Sequence, residues 1–164
     1  MTLTKPSKTL LSCHAPKEEW SEITPGERHI IRTSSDETNG AYSIFEVIAD
    51  YRNGTPMHVH QNEDEHFIIL EGRGHFANGG EKVDLTAGWS LTVCRGAPHA
   101  WCNLSETPLR MLLLFTPGGI DKLFRETVSG AELDSLVPIF EHFGTRVVGP
   151  ALFDNIYTRA SPRS

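Results

Sequence analysis

Three cysteines in 164 residues, Cys13, Cys94 and Cys102, are too few and too scattered for a disulfide framework, and none forms a CxxC pair that would seed an all-thiolate metal site. Reduced, structural thiols are the expectation. No apolar run reaches the length of a membrane span, and the opening MTLTKPSKTLLSCHAPKEEW lacks the continuous hydrophobic stretch of a secretory signal. A cytoplasmic location without membrane association is expected. Positive charge is also sparse: 15 Lys and Arg against 21 Asp and Glu give a net charge of -6, and no dense basic run offsets repulsion from a phosphate backbone. Nucleic acid is therefore not an expected partner. The glycine-rich GRGHFANGG lacks the GxxxxGK spacing and the strand-to-helix context of a phosphate loop, so its glycines read as tight connections. There is no internal repeat, and one domain is the simplest organisation for this length.

What is present is a succession of short apolar segments divided by turn formers. RHIIRT, AYSIFEVIAD, EHFIILEG, GRGHFANGG, WSLTVC, HAWCNL and LRMLLLF read as strands, punctuated by Gly40, Asn53-Gly54, Gly72, Asn78-Gly79-Gly80, Gly88 and Gly96. Strand follows strand with no helix-length segment between them. That order argues for an antiparallel barrel or sandwich rather than a parallel sheet covered by helices. After TPGG the pattern changes. IDKLFRETV and SGAELDSLVPIFEHFG read as helical, with Leu133, Leu136, Val137 and Phe140 at helical spacing and Gly144 as a terminator. Pro138 leaves two alternatives, a helix ending near Val137 or a longer kinked one. The expected divisions are an N-terminal arm over 1–22, a core over 23–116, and a helical segment and tail over 117–164 that packs back on the core.

The densest chemistry lies in MHVHQNEDEHF, residues 57–67. Side chains alternate between the faces of a strand, so His58 and His60 share one face and Val59 takes the other. QNED has hairpin-loop length, after which Glu65, Phe67 and Ile69 fall on one face and His66, Ile68 and Leu70 on the opposite one. In GAPHAWCN, His99 shares a face with Trp101 and Asn103. Three neutral imidazoles and one carboxylate suit a divalent Fe, Mn, Ni, Co or Zn ion. HxH alone is as well explained by a solvated strand end; the combination with Glu65 and His99 carries the metal reading. Glu63 and Asp64 are expected in a wet connection and His66 on the outer face. His14, His29, His75 and His142 have no spacing that ties them to the site.

The run His58, His60, Glu65, Gly72 resembles the first motif of the cupin superfamily: HxH, four residues, Glu, six residues, Gly. GWSLTVCRGAPHAWCN, with Gly88, Gly96, His99 and Asn103, resembles its second motif. Cys94 stands two residues before Gly96, where the motif customarily has a proline just ahead of its glycine, and Gly54 is closer to His58 than the usual upstream glycine. The resemblance implies an all-β, single-domain cupin-like antiparallel β-barrel, or jelly roll, with short C-terminal helices. It also implies His58, His60, Glu65 and His99 as metal ligands, one divalent ion, foremost Fe, Mn or Ni with Zn or Co as alternatives, and a homodimer.

Met57, Phe67, Phe76, Leu91, Trp101, Met111 and Phe115 are the candidate lining of a pocket for a small organic molecule. The continuation TPGGIDKLFRET resembles small single-domain proteins grouped near quercetin dioxygenases. That implies a metal-dependent dioxygenase acting on a small aromatic, phenolic or enolic compound whose oxygen is held at the metal, with Glu65 as the catalytic group receiving the substrate proton. The alternatives are a redox-neutral metal-dependent isomerase or hydrolase, and a small-molecule-binding cupin without turnover.

Overall fold

The computed structural model describes residues 19–127 and 133–152. The arm assigned to 1–22 lies outside these residues up to position 18, as does the tail from 153 onward. Twelve strands and two helices follow in order: β1 (Ser21–Thr24), β2 (Glu27–Thr33), β3 (Ser43–Ala49), β4 (Asn53–Gly54), β5 (Pro56–His60), β6 (Asp64–Glu71), β7 (Arg73–Asn78), β8 (Glu81–Thr86), β9 (Ser90–Val93), β10 (His99–Asn103), β11 (Leu109–Thr116), α1 (Asp121–Glu126), α2 (Leu133–His142) and β12 (Thr145–Ala151). Every pairing is antiparallel.

The closed barrel expected from the sequence is not formed. The strands make two open six-stranded sheets, one ordered β1-β2-β3-β11-β6-β9 and the other β12-β5-β10-β7-β8 with β4 also on β10. Alternation reports which face a residue takes, but says nothing of which strand is its lateral neighbour, and closure depends on that alone. The free edges are managed in other ways. β1 and β9 are four residues long, and β8 carries exposed Glu81, Lys82 and Asp84, two devices that discourage pairing with another chain.

Between the sheets lies one core. Phe45, Val47, Phe67, Ile69 and Met111 enter it from the first sheet and Phe76, Leu85 and Trp101 from the second, all at most 4% exposed. The period-2 reading of EHFIIL holds: Glu65, Phe67 and Ile69 are buried, whereas His66, Ile68 and Leu70 are not. β8 had no counterpart among the expected strands, because EKVDLT buries only Leu85 and shows little apolar alternation. At Gly54 the two backbones of β4 and β10 come so close that a Cβ would overlap the Trp101 carbonyl and lie 2.6 Å from Cys102 Cα, which excludes any larger residue there.

α2 runs through Pro138 to His142, so the longer of the two helical alternatives is the one adopted. The helical bond lost at the proline is accepted while Leu136 is buried. Gly144, with φ 79, ends the segment and donates to the Glu141 carbonyl at 3.0 Å. β12 then pairs with β5, opposing Thr145 to His60 and Val147 to His58. No helix among the described residues is long and apolar enough to cross a membrane.

Candidate metal centre

His58 and His60 point inward from β5, Glu65 from the start of β6 and His99 from the start of β10, all buried at 3–8% exposure. One ligand atom from each lies within 4.8 Å of every other. Register explains the convergence: His99 sits directly opposite His58, and Glu65 is carried across on the facing sheet, paired with Phe115 and Val93. The imidazole centroids are 4.8 Å apart for His58 and His60, 4.2 Å for His58 and His99, and 5.3 Å for His60 and His99.

The far side of each ring is already engaged. His58 Nδ1 donates to the Pro56 carbonyl at 2.9 Å, His99 Nδ1 to the Ala97 carbonyl at 3.1 Å, and His60 Nδ1 lies 2.9 Å from Thr145 Oγ1. Carbonyls only accept, so a proton is held at Nδ1 of His58 and His99 and Nε2 is the nitrogen offered to the cluster centre. This is the outer-shell pattern that orients imidazole ligands. Glu65 Oε2 receives His99 Nε2 at 2.8 Å and lies 3.2 Å from His60 Nε2.

Burial and mutual charge act on these groups in identifiable directions. Burial, reinforced by charge on His60 and His99, pushes the His58 pKa down to about 3. Burial also disfavours charge on His99, but the hydrogen bond and charge of Glu65 outweigh it and raise its pKa above the usual imidazole value. For Glu65, burial works to raise the pKa, and the hydrogen bonds from His60 and His99 reverse this and hold the carboxyl well below the usual range. A buried carboxylate among three imidazoles whose Nε2 atoms are turned to the cluster centre fits a divalent cation, and the cluster can coordinate a metal ion.

A cavity of about 100 Å³, open to solvent on one side, lies beside the cluster. Of the seven candidate lining residues, Trp101 and Phe115 border it. Phe67, Phe76 and Met111 are core residues, Leu91 packs partly buried against the core, and Met57 is half-buried next to Gly149. The remaining wall comes largely from segments far away in sequence, including Leu113, Ile120, Leu123, Phe124, Phe140 and Val147. No lysine or arginine lines it among the described residues.

The neighbouring titratable residues separate clearly. His66 lies on the other face of β6, 2.6 Å from Thr92 Oγ1. Asp64 begins β6 and pairs with Arg95 at 3.0 Å, which holds its pKa down at about 2. Glu63 is 5% exposed and not in a wet connection, its Oε2 without a hydrogen-bond partner among the described residues. His75 pairs with Asp84 at 2.6 Å, and His142 is exposed. His29 is 3% exposed against the edge of Phe124, and burial takes its pKa down to about 4. His14 lies outside the described residues.

Two residues of consequence escaped the sequence reading. Thr145 stands 85 positions from the His60 it orients, and no local signal links them. Thr145→Val keeps the shape of the side chain and removes the oxygen, so metal affinity is expected to fall about 10-fold with the fold intact, as read by calorimetric titration. Glu27 lines the cavity at the start of β2, and its parity with His29 and Ile31 was a readable signal. Burial, offset in part by Thr24, raises its pKa from 4.5 to about 7. An acid whose folded pKa is raised binds more protons folded than unfolded between those values, so stability falls as pH rises through that window. Relative to wild type, Glu27→Gln is expected to gain roughly 3 kcal/mol between pH 4.5 and 7. Urea unfolding over a pH series checks this; a constant difference between the two proteins would refute it.

The comparisons with known proteins come to the same fold. Residues 46–115 match the family model described as Cupin domain. An uncharacterised protein of Methanocaldococcus jannaschii is 31% identical over 75 residues, 46% of this chain, and the match spans about 60% of that relative's length. KdgF from a Halomonas species superimposes with a TM-score of 0.58 at 21% identity, covering 64% of this chain and 91% of the other. An RmlC-like cupin from Shewanella frigidimarina gives 0.58 at 21% identity, covering 68% and 96%. A predicted oxalate decarboxylase from Thermotoga maritima gives 0.54 at 23% identity, covering 60% and 90%.

Proposed function

The chain carries a single cupin-domain fold, and from that premise we propose that it is a metal-dependent dioxygenase acting on a small aromatic, phenolic or enolic compound. The observation that carries this reading is the pairing of a His/His/Glu/His cluster with a cavity wall that is largely apolar and lacks any cation among the described residues. A phosphorylated or polyanionic substrate would find no lysine or arginine there to share its charge with the proposed ion, whereas a planar apolar body with one ionisable oxygen suits it.

His58, His60, Glu65 and His99 are the proposed ligands. Fe, Mn or Ni is the proposed ion, with Zn and Co as substitutes; when bound, such an ion lowers the proton affinity of a phenol or enol oxygen and, if redox-active, permits reaction with dioxygen. The chain's own contribution is positioning and proton handling. Pro56, Ala97 and Thr145 fix the three rings. Leu113, Phe115 and Trp101 exclude water from the substrate body. Glu65, which lines the cavity, carries the proposed catalytic role of receiving the substrate hydroxyl proton on its carboxylate. A homodimer belongs to the same proposal, and solution mass tests it separately.

The decisive experiment combines metal analysis of protein purified without added metal with oxygen uptake on a panel of flavonols, catechols and enols. Stoichiometric Fe, Mn or Ni and uptake of one dioxygen per substrate are expected. Turnover retained under strict anaerobiosis and with Zn would replace the reading by a redox-neutral isomerase or hydrolase. Tight binding with no product would leave a binding protein.

A further inference from the structure

Glu27 is 8% exposed and lines the cavity, yet no lysine or arginine borders that cavity and Glu27 Oε2 has no hydrogen-bond partner among the described residues. A carboxyl group in this condition weakens the fold. Glu46 is a useful contrast: it is as deeply buried, but Arg32 and Arg110 both reach it, at 2.6 Å each. Glu46 is neutralised by two guanidiniums, whereas Glu27 has the Thr24 hydroxyl beside it and no cation in the cavity wall among the described residues.

Its place along the sheet is informative. Glu65 pairs with Phe115, which pairs with Ser43, whereas Glu27 pairs with Ala49, six positions farther along β3. At about 3.3 Å per residue their backbone registers are offset by roughly 20 Å along the strand direction, while both side chains reach into the same cavity. The cavity thus has a carboxyl residue toward either end, and Val47, Leu113, Trp101 and Phe124 contribute apolar wall. Outside the four cluster residues, the hydroxyl side chains in the wall among the described residues are Thr55, Thr127 and Thr145, the last held against His60.

We propose that Glu27 is a specificity-determining residue that hydrogen-bonds the hydroxyl at the far end of an elongated, mostly apolar ligand whose other end reaches the metal cluster. This rests on the aromatic or enolic reading above and narrows it. The ligand is long rather than compact and carries a neutral hydroxyl at its distal tip. A carboxylate or phosphate there would face a carboxyl with no cation beside it. With its pKa raised to about 7, Glu27 at neutral pH is present both as an acceptor and as a donor to such a hydroxyl.

The test uses the full chain loaded with Zn, so that binding is read without turnover, and three probes followed by fluorescence. These are flavonol itself, flavonol hydroxylated at the tip of its pendant ring, and flavonol hydroxylated at the outer position of its fused ring. One of the two hydroxylated probes is expected to bind wild type about 10-fold more tightly than flavonol. In Glu27→Leu that preference disappears while Zn stoichiometry is unchanged. Glu27→Leu should also raise Tm by at least about 2–4 °C, because a buried carboxyl with no neutralising cation is removed. Equal binding of all three probes by wild type, a preference surviving in Glu27→Leu, or a fall in Tm overturns the assignment of Glu27 and leaves the metal reading intact. Zinc-loaded wild type that binds none of the three sinks the aromatic-ligand reading, and this inference with it.

Discussion

His99→Ala is expected to lower affinity for Mn, Ni or Zn at least 100-fold, while His66→Ala leaves it unchanged. Losing an orienting group outside the coordination sphere already costs about 10–100-fold in metal affinity, and His99 is one of the four proposed ligands themselves. Its position makes substitution by a neighbour impossible. His99 is the only one of the four on β10, its Nδ1 is turned to the Ala97 carbonyl, and its Nε2 is 2.8 Å from Glu65 Oε2. Removing it also strips Glu65 of the closer of its two imidazole partners. His66, one residue from Glu65, is the matched control, because its side chain leaves the opposite face of β6 and meets Thr92. Titration calorimetry reads both variants, and circular dichroism shows whether they fold. Equal loss in the two, or retained stoichiometric binding in His99→Ala, would remove the cluster from consideration as the metal site.

Asn103→Ala is expected to destabilise the chain by about 3–5 kcal/mol. Asn103 is wholly buried at the end of β10. Its Nδ2 donates to the carbonyls of Ala49 and Thr107, both at 2.9 Å, and its Oδ1 accepts the Ser105 N–H at 2.8 Å. Each such bond contributes roughly 1 kcal/mol net, and backbone groups left buried and unpaired add further cost. The side chain also joins the two sheets, since Ala49 belongs to β3 and Asn103 to β10. For a chain of this size the loss corresponds to a Tm lower by about 6–20 °C. Thermal and urea unfolding check it; a change below about 1 kcal/mol would mean that water replaces these bonds. Asn103 shares the face of His99 and Trp101, but its amide is consumed in holding β10 and the turn after it, so its contribution to the site is to fix the strand that carries His99.

Much of the site was legible in MHVHQNEDEHF and GAPHAWCN because strand alternation is strict. Parity put His58, His60 and Glu65 inward and His66 outward. Other residues were opaque for definite reasons. Glu63 looks like loop in sequence, since no periodicity covers QNED, yet it is buried. Met57, Phe67, Phe76, Leu91 and Met111 are as apolar as Trp101 and Phe115; hydrophobicity does not distinguish a side chain facing core from one facing a cavity. Phe124, Phe140 and Val147 reach the cavity only because the chain folds back after β11: Phe124 of α1 packs on Phe45 of β3, and β12, which α2 contacts, pairs with β5.

The sequence by itself determined the strand-rich composition, the inward face of β5, β6 and β10, and the four residues that can surround a cation, because side-chain parity is a local property of an extended backbone. Tertiary structure alone decided that the sheets stay open, that Thr145 orients His60, and that the inward face of β2, with Glu27 on it, meets the same cavity as the cluster. Each of these depends on which strand lies beside or across from which, and such partnerships are set by long-range pairing and burial that no local pattern encodes.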